Sequence, residues 1–425
     1  MNMVDRTRRA KLEPSTWIFL GGRWLSNLGE QLLLYAIPLL IFEVTQSVAK
    51  SGQAFLIEWL PPVLLLPFLG VLTDRLGEKK VYTTAECCRT LITFACCLYL
   101  FWVPVSPFVI LTVTAAALSI LHAQNYVALE TTVARRFTAE RLAKMQSLVE
   151  GIESVTEVLG PALAALFVVW VSKPYMILCT APVFFLSAVT VKQLGDNAPQ
   201  QQVPETTAAP RYQTSVLGDI ALGCKAVIAR PTLLALCGVS LSLNLLMGVV
   251  LATNPAVAKE SFQVSDAAFA WLGMTGGLSS AVLMFALPAL TCRLGNLNLA
   301  LVGMILFAGS VSCFMYAAHF MVHVAGFALL NCAIGIFNIH VRIERAKIIP
   351  ADIFGRTIGF IILINRLGMP LAGGVVAAFG AVANPQDLVG CVGIATLCIL
   401  VAVLAWKRHL IHRSPILQES TYYEV

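Results

Sequence analysis

Twelve long apolar stretches, parted by short polar ones, make up most of the chain: about 17–45, 52–73, 82–104, 107–131, 146–170, 173–193, 231–256, 266–290, 297–318, 320–341, 357–381 and 387–406. A helix that crosses a bilayer needs about 20 apolar residues, and each stretch is about that long. A transmembrane barrel would show shorter alternating segments instead. The pattern predicts an all-α integral membrane protein with twelve transmembrane helices.

One interval breaks the rhythm. Residues 194–230 begin with GDNAPQQQVPETTAAPRYQ and continue with a more helical piece over 216–230. A polar linker carrying an amphipathic helix along the membrane surface is expected there. It separates a six-helix bundle over 1–193 from a second over 231–406, with a tail over 407–425.

Charge then sets the orientation. If the N-terminus starts inside, the outside loops hold only Lys50, Lys173 and Lys259. The inside segments hold the Lys and Arg clusters of residues 6–11, 75–80, 135–144, 342–347 and 407–413, together with Arg293 and Arg356. Cytoplasmic loops are enriched in Lys and Arg, so both termini are placed in the cytoplasm. The net charge of +6 is therefore read as topology and not as a nucleic-acid surface, because the basic residues are spread over many loops.

Composition agrees. Hydrophobic residues make up 58% of the chain and charged ones 12%, where soluble proteins carry about a quarter charged. The twelve cysteines lie mostly inside apolar runs and include no CxxC pair, so they read as small packing residues. No cleavable signal peptide is expected, since the first apolar run is too long for one.

Residues 70–80, GVLTDRLGEKK, lie between the second and third stretches. A polar turn with lysines inside accounts for Lys79 and Lys80, but not for the spacing of Gly70, Leu72, Asp74, Arg75 and Gly77. A degenerate copy, Leu290-Thr-Cys292-Arg293-Leu-Gly295, precedes the ninth stretch, with Cys292 where the first copy has Asp74. Residues 136–144, RFTAERLAK, precede the fifth stretch and residues 348–356, IIPADIFGR, precede the eleventh. Their acid, small residue and base fall at one offset, and Gly160-Pro161 has a displaced echo in Met369-Pro370. The spacing of residues 70–80 resembles the loop signature of the major facilitator superfamily, whose fold is two six-helix halves related as parallel repeats. Within that superfamily the loop ending at Lys144, its repeat before the eleventh span and the linker helix resemble the bacterial branch that holds enterobactin and vibrioferrin exporters and drug-efflux proteins, which implies a place in a bacterial inner membrane. The resemblance implies gating by Gly70, Asp74, Arg75 and Gly77, with Asp74 facing the Thr357 end of the eleventh helix or Arg135 or Arg136.

Ionisable residues inside a span are costly, and so are candidates for function. Arg23, Asn27, Glu30 and Gln31 recur at i, i+4, i+7 and i+8 on one face of the first span. That face is either a structural polar seam or a cavity wall, and the family resemblance implies the wall. Glu150, Glu153 and Glu157 share a face of the fifth span. A carboxylate deprived of water is a natural proton carrier, which makes Glu30, Glu153 and Glu157 the proton-coupling candidates. The competing use is to neutralise Arg23 or Arg366. In the fourth span His122 and Asn125 are substrate-binding candidates, with His122 equally readable as a packing residue. The second half is polar rather than acidic, and Asn244, Asn331, Asn365 and Arg366 join Asn27 and Gln31 as substrate-binding candidates. An Arg at the depth of Arg366 needs a carboxylate or an anionic substrate group.

No Walker A sequence, G-x-S-x-G sequence or selectivity-filter sequence is present. The expected protein is not an enzyme, holds no cofactor or metal, binds no nucleic acid, and works as a monomer in the lipid bilayer. His122 with His323 is the one pair worth testing for metal. The reading is a proton-coupled secondary transporter that exports a small organic molecule, such as a siderophore. A lysophospholipid-flipping transporter and a non-transporting sensor are the alternatives.

Overall fold

Because a bilayer core offers no water to backbone amides, a chain this apolar satisfies them within helices. A computed structural model describes residues 13–103, 107–137, 139–193, 216–350 and 353–413. The first six helices are α1 (Pro14–Thr45), α2 (Val48–Leu76), α3 (Glu78–Trp102), α4 (Pro107–Arg136), α5 (Ala139–Trp170) and α6 (Lys173–Lys192). After α7 (Val216–Ile228) come α8 (Pro231–Ala256), α9 (Asp266–Met315), α10 (Phe320–Ile348), α11 (Phe354–Phe379) and α12 (Pro385–Arg413). Among the described residues eleven helices are long and apolar enough to cross a membrane. A twelfth span is α2, bent by 61° between Val48–Leu66 and Phe68–Leu76, where the sequence has Pro67. The protein is a multi-pass membrane protein with a twelve-helix fold.

Two expected spans, the eighth and ninth, run together as α9. They meet at Gly295, whose φ of 71° and ψ of 164° are non-helical. The matching junction in the first half is Gly77, with φ 85° and ψ 137° between α2 and α3. This region of backbone space is open almost only to glycine, so the two copies of the loop motif share a backbone device as well as a sequence. A second pair of matched turns follows α1 and α8: Gln46 and Gln263 both take positive φ, at 46° and 49°.

The helices fall into two compact units. One holds α1, α2 from Leu64 onward, and α3 to α6; the other holds Thr45–Val63 and α7 to α12. At the basic-loop end of the first unit Phe19, Tyr82, Leu129, Val133 and Met145 form an apolar core. In the second unit Thr45–Val63 packs on α11 at backbone distance: a Cβ on Gly52 would lie 2.4 Å from Ala377 N, and one on Gly373 would lie 2.4 Å from Leu56 N. The linker helix α7 turns Val227 into a core with Leu233, Cys237, Ile349 and Ile361, and leaves Leu222 and Ile228 exposed. The rest of the expected linker, residues 194–215, and the tail from 414 lie outside the described residues, as does Asp352.

Candidate functional site

The charged interior of the first unit is centred on Arg89, in the middle of α3. Its guanidinium is fully buried. Nη2 is ion-paired with Glu30 of α1, Nη1 donates to Ser26 Oγ at 3.0 Å, and the same nitrogen is 3.5 Å from Glu86 Oε1 one turn back on α3. The ring of Phe184 from α6 lies 3.8 Å from the guanidinium carbon. A cation held over an aromatic ring in a desolvated place gains about 2 kcal/mol, and removing one partner of a buried ion pair costs about 3–5 kcal/mol. Arg89 is therefore fixed from several sides.

Glu86 is just as buried. Its Oε1 accepts from Ser26 Oγ at 2.7 Å and from Asn125 Nδ2 of α4 at 2.8 Å. His122, one turn before Asn125, puts Nδ1 3.6 Å from Glu30 Oε2. Four helices thus contribute to one network: α1 through Ser26 and Glu30, α3 through Glu86 and Arg89, α4 through His122 and Asn125, and α6 through Phe184. Glu30, His122 and Asn125, expected separately as proton and substrate residues, are brought together here. Glu86 and Arg89 were not among the sequence-based candidates. The signal that finds them is two charges at i and i+3 inside the predicted span 82–104.

A second ion pair lies beside this network. Arg23 of α1, only 1% exposed, donates through Nη2 to Glu153 Oε1 of α5 at 3.1 Å. So one of the three proton candidates does neutralise Arg23. Farther along the same two helices, a Cβ on Gly160 would meet Gln31 Cβ at 2.3 Å. Asn27 and Glu157 lie between these two contacts, so they share a level. Asn27 is buried and Glu157 is exposed.

The residues expected to gate form a different kind of site. Asp74 Oδ1 accepts from Arg135 Nη2 at 2.8 Å, and Arg135 Nη1 donates to Glu78 Oε2 at 3.0 Å. Arg135 is one of the expected partners of Asp74. Below this triad Thr73 Oγ1 accepts from Gln124 Nε2 at 2.7 Å. Gly70 has open space around it, Arg75 is exposed, and Gly77 makes the turn. Asp74 is 66% and Arg135 45% exposed, so the pair contributes about 0–1 kcal/mol. A contact that weak breaks readily.

The second unit's candidates do not converge. Asn244 Nδ2 donates to Ser240 O and Asn331 Nδ2 to Phe327 O, both at 2.8 Å and both within their own helix. Asn365 Oδ1 is buried and accepts no hydrogen bond among the described residues. Arg366 is exposed, and no ion pair to it is found among the described residues. His323 instead bonds Asn254 at 3.0 Å within a group of Phe262, Phe314 and Phe320. A surface pocket in this unit, open to solvent, is lined by Thr232, Leu236, His340, Glu344 and Trp406 among others, and by none of the four candidates.

Repeated bundles with polar and charged groups turned inward define a secondary-transporter fold. The chain resembles the nucleoside transporter NupG at TM-score 0.71, with 14% identity over 92% of this chain and 99% of NupG. It also resembles a bacterial homologue of the iron transporter ferroportin in its inward-facing state, at TM-score 0.68, with 14% identity over 95% and 100% of the two chains. At such identities the likeness is one of fold. Residues 19–373 match the profile of the Major Facilitator Superfamily, and the chain belongs to that family of transporters, which is not a family of enzymes. A relative, the uncharacterized MFS-type transporter YfiS of Bacillus subtilis (strain 168), is 26% identical over 421 residues, 93% of this chain and 95% of its own length.

Proposed function

We propose that the protein is a proton-coupled exporter of a small organic molecule, working by alternating access in a bacterial inner membrane with both termini cytoplasmic. The observation that carries this reading is a charge imbalance. Inside the first unit Arg23 and Arg89 meet three carboxylates, those of Glu30, Glu86 and Glu153, and a fourth, Glu157, lies exposed one turn beyond Glu153. Two guanidiniums neutralise two carboxylates, and the remaining ones are neutral only when they hold protons or meet a cation. Proton gain and loss by Glu30, Glu153 and Glu157 would couple the gradient to transport. Gly70, Asp74, Arg75 and Gly77 would serve as the gate at the cytoplasmic end.

The substrate would be a siderophore-like or drug-like molecule, in keeping with the loop motifs that end at Lys144 and Arg356. Arg366 favours a carboxylate or another anionic group on it. Asn27, Gln31, His122, Asn125, Asn244, Asn331 and Asn365 would supply hydrogen bonds. The test is reconstitution in proteoliposomes with an internal pH dye and a panel of catecholate and hydroxycarboxylate siderophores, cationic dyes and a lysophospholipid. Proton movement that depends on one of the soluble compounds is expected. Lysophospholipid transfer between leaflets, with no proton movement for any soluble compound, would replace this reading.

A further inference from the structure

Glu86 receives its donors on one oxygen. Ser26 and Asn125 donate to Oε1, and Arg89 Nη1 approaches the same atom. Oε2 is buried and has no hydrogen-bond partner among the described residues. An ionised carboxylate spreads its charge over both oxygens, so half of it would face a dry interior with no donor. A neutral acid leaves one hydroxyl unmatched, at about 1–3 kcal/mol, and a charged group left unmatched costs more.

The one other cation near it among the described residues is already paired. From α1, Glu86 faces Arg23, already held by Glu153 of α5, and Glu30. From α4 it faces Asn125, with His122 against Glu30; from α6 come Ser187, bonded to Tyr82, and the Phe184 ring; from its own helix, Tyr82 and Arg89. Arg89 is thus one positive charge between two carboxylates, and here it pairs with Glu30.

We infer that Glu86 and Glu30 hold one proton between them, and that Glu86 is the site that stores it, one layer behind Glu30. With Arg89 on Glu30, the proton sits on Glu86 Oε2. When Glu30 gains a proton, Arg89 turns to Glu86, whose Oε1 is already 3.5 Å from Nη1, and Glu86 releases its own. One O–H bond forms, one breaks, and Arg89 keeps all its protons. Ser26 stands between the two, accepting from Arg89 and donating to Glu86. The use of this exchange in transport rests on the proton-coupled reading; the shared proton itself does not.

Infrared spectroscopy of the full-length protein in liposomes at neutral pH tests it without a substrate. The wild type should show the carbonyl band of a protonated carboxyl that Glu86→Gln removes. Glu30→Gln should remove the same band, because Arg89 then requires an ionised Glu86. A band that survives Glu30→Gln, or that Glu86→Gln leaves unchanged, overturns the inference. Should Glu86→Gln not fold, Glu86→Asp should displace the band, and an undisplaced band is equally fatal. Loss of the band in both variants without substrate-dependent proton flux would leave this inference standing and remove the coupled-exporter reading. Flux with an unchanged band would do the reverse.

Discussion

Nine and twelve residues beyond Gly77 stand Glu86 and Arg89; nine and twelve beyond Gly295 stand Met304 and Phe307. The two glycines mark matching turns, so these are matching places on the third helix of each repeat. Arg89 and Phe307 are both fully buried. One half fills the position with a charge, which brings a second charged residue and partners from three other helices, and the other half fills it with a ring. The fold therefore does not need a charge there. Apolar replacements of buried ion groups are often neutral or stabilising by about 1–4 kcal/mol, so a charged network kept in only one half points to use rather than to architecture. The second unit spends its close contacts on backbone instead: Gly52 and Gly373 against each other's helices, and Gly368 with a Cβ position 2.9 Å from Leu245 N. Small residues that let helices approach are a common way to join helices in a membrane.

The sharpest way to break this comparison is to give the first half the second half's residues. Arg89→Phe alone leaves Glu30 and Glu86 without their cation and should destabilise by about 3–5 kcal/mol. Adding Glu86→Met and Glu30→Gln removes the stranded carboxylates and should raise the unfolding temperature above that of Arg89→Phe, although Ser26 and Asn125 lose an acceptor. Transport should be lost in both. If the triple variant unfolds below the single one in a detergent thermal-shift assay, the network is structural and the contrast between halves fails.

Next in size are the backbone contacts of the second unit. Gly52→Val and Gly373→Val place side chains onto Ala377 and Leu56 backbone, and overpacking of this kind costs about 1–3 kcal/mol. Gly238→Val is the control, since nothing lies within 4 Å of a Cβ there. Equal unfolding temperatures for Gly52→Val and Gly238→Val would refute the close approach. The paired turns come third. Gly77→Ala and Gly295→Ala should each cost about 1–3 kcal/mol, because both force a side chain into glycine-only backbone space. Similar losses in the two variants would mark the turns as equivalent, and a loss in only one would dissolve the register on which the comparison of Arg89 with Phe307 rests.

Much of this was legible in the residues, and what was not has a physical reason. Hydropathy gives twelve spans because lipid leaves few alternatives to long helices, and the repeat TDRLG and TCRLG already marks the two turns. Glu30 and Glu153 stand out because each sits on a stripe of polar residues along one helix face. Glu86 and Arg89 escape that filter: they sit among Cys87, Cys88 and threonines on a helix whose basic start, at Lys79 and Lys80, makes further charges look like loop. Partner choice was less legible still. Arg23 could take a carboxylate from several helices, and only packing selects Glu153. Asn244 and Asn331 look like binding residues in sequence but donate to carbonyls of their own helices, as short polar side chains commonly do.

The smallest effect on stability should come with a large one on rate. Asp74→Asn removes the charge that holds Arg135, yet both side chains are largely exposed, so the fold should lose about 0–1 kcal/mol. Glu78 keeps its hold on Arg135, which limits the loss further. The matching residue in the second half, Cys292, is exposed and pairs with no charge among the described residues. If the first half alone carries the latch, Asp74→Asn should slow turnover in proteoliposomes while substrate binding stays near wild type, and Cys292→Ser should change neither. Cys292→Asp, which restores the acid to the second turn, should not rescue Asp74→Asn if the latch belongs to the first half alone. Rescue by that variant would mean that the two turns are interchangeable, and that the asymmetry between the halves lies only in the buried network around Arg89.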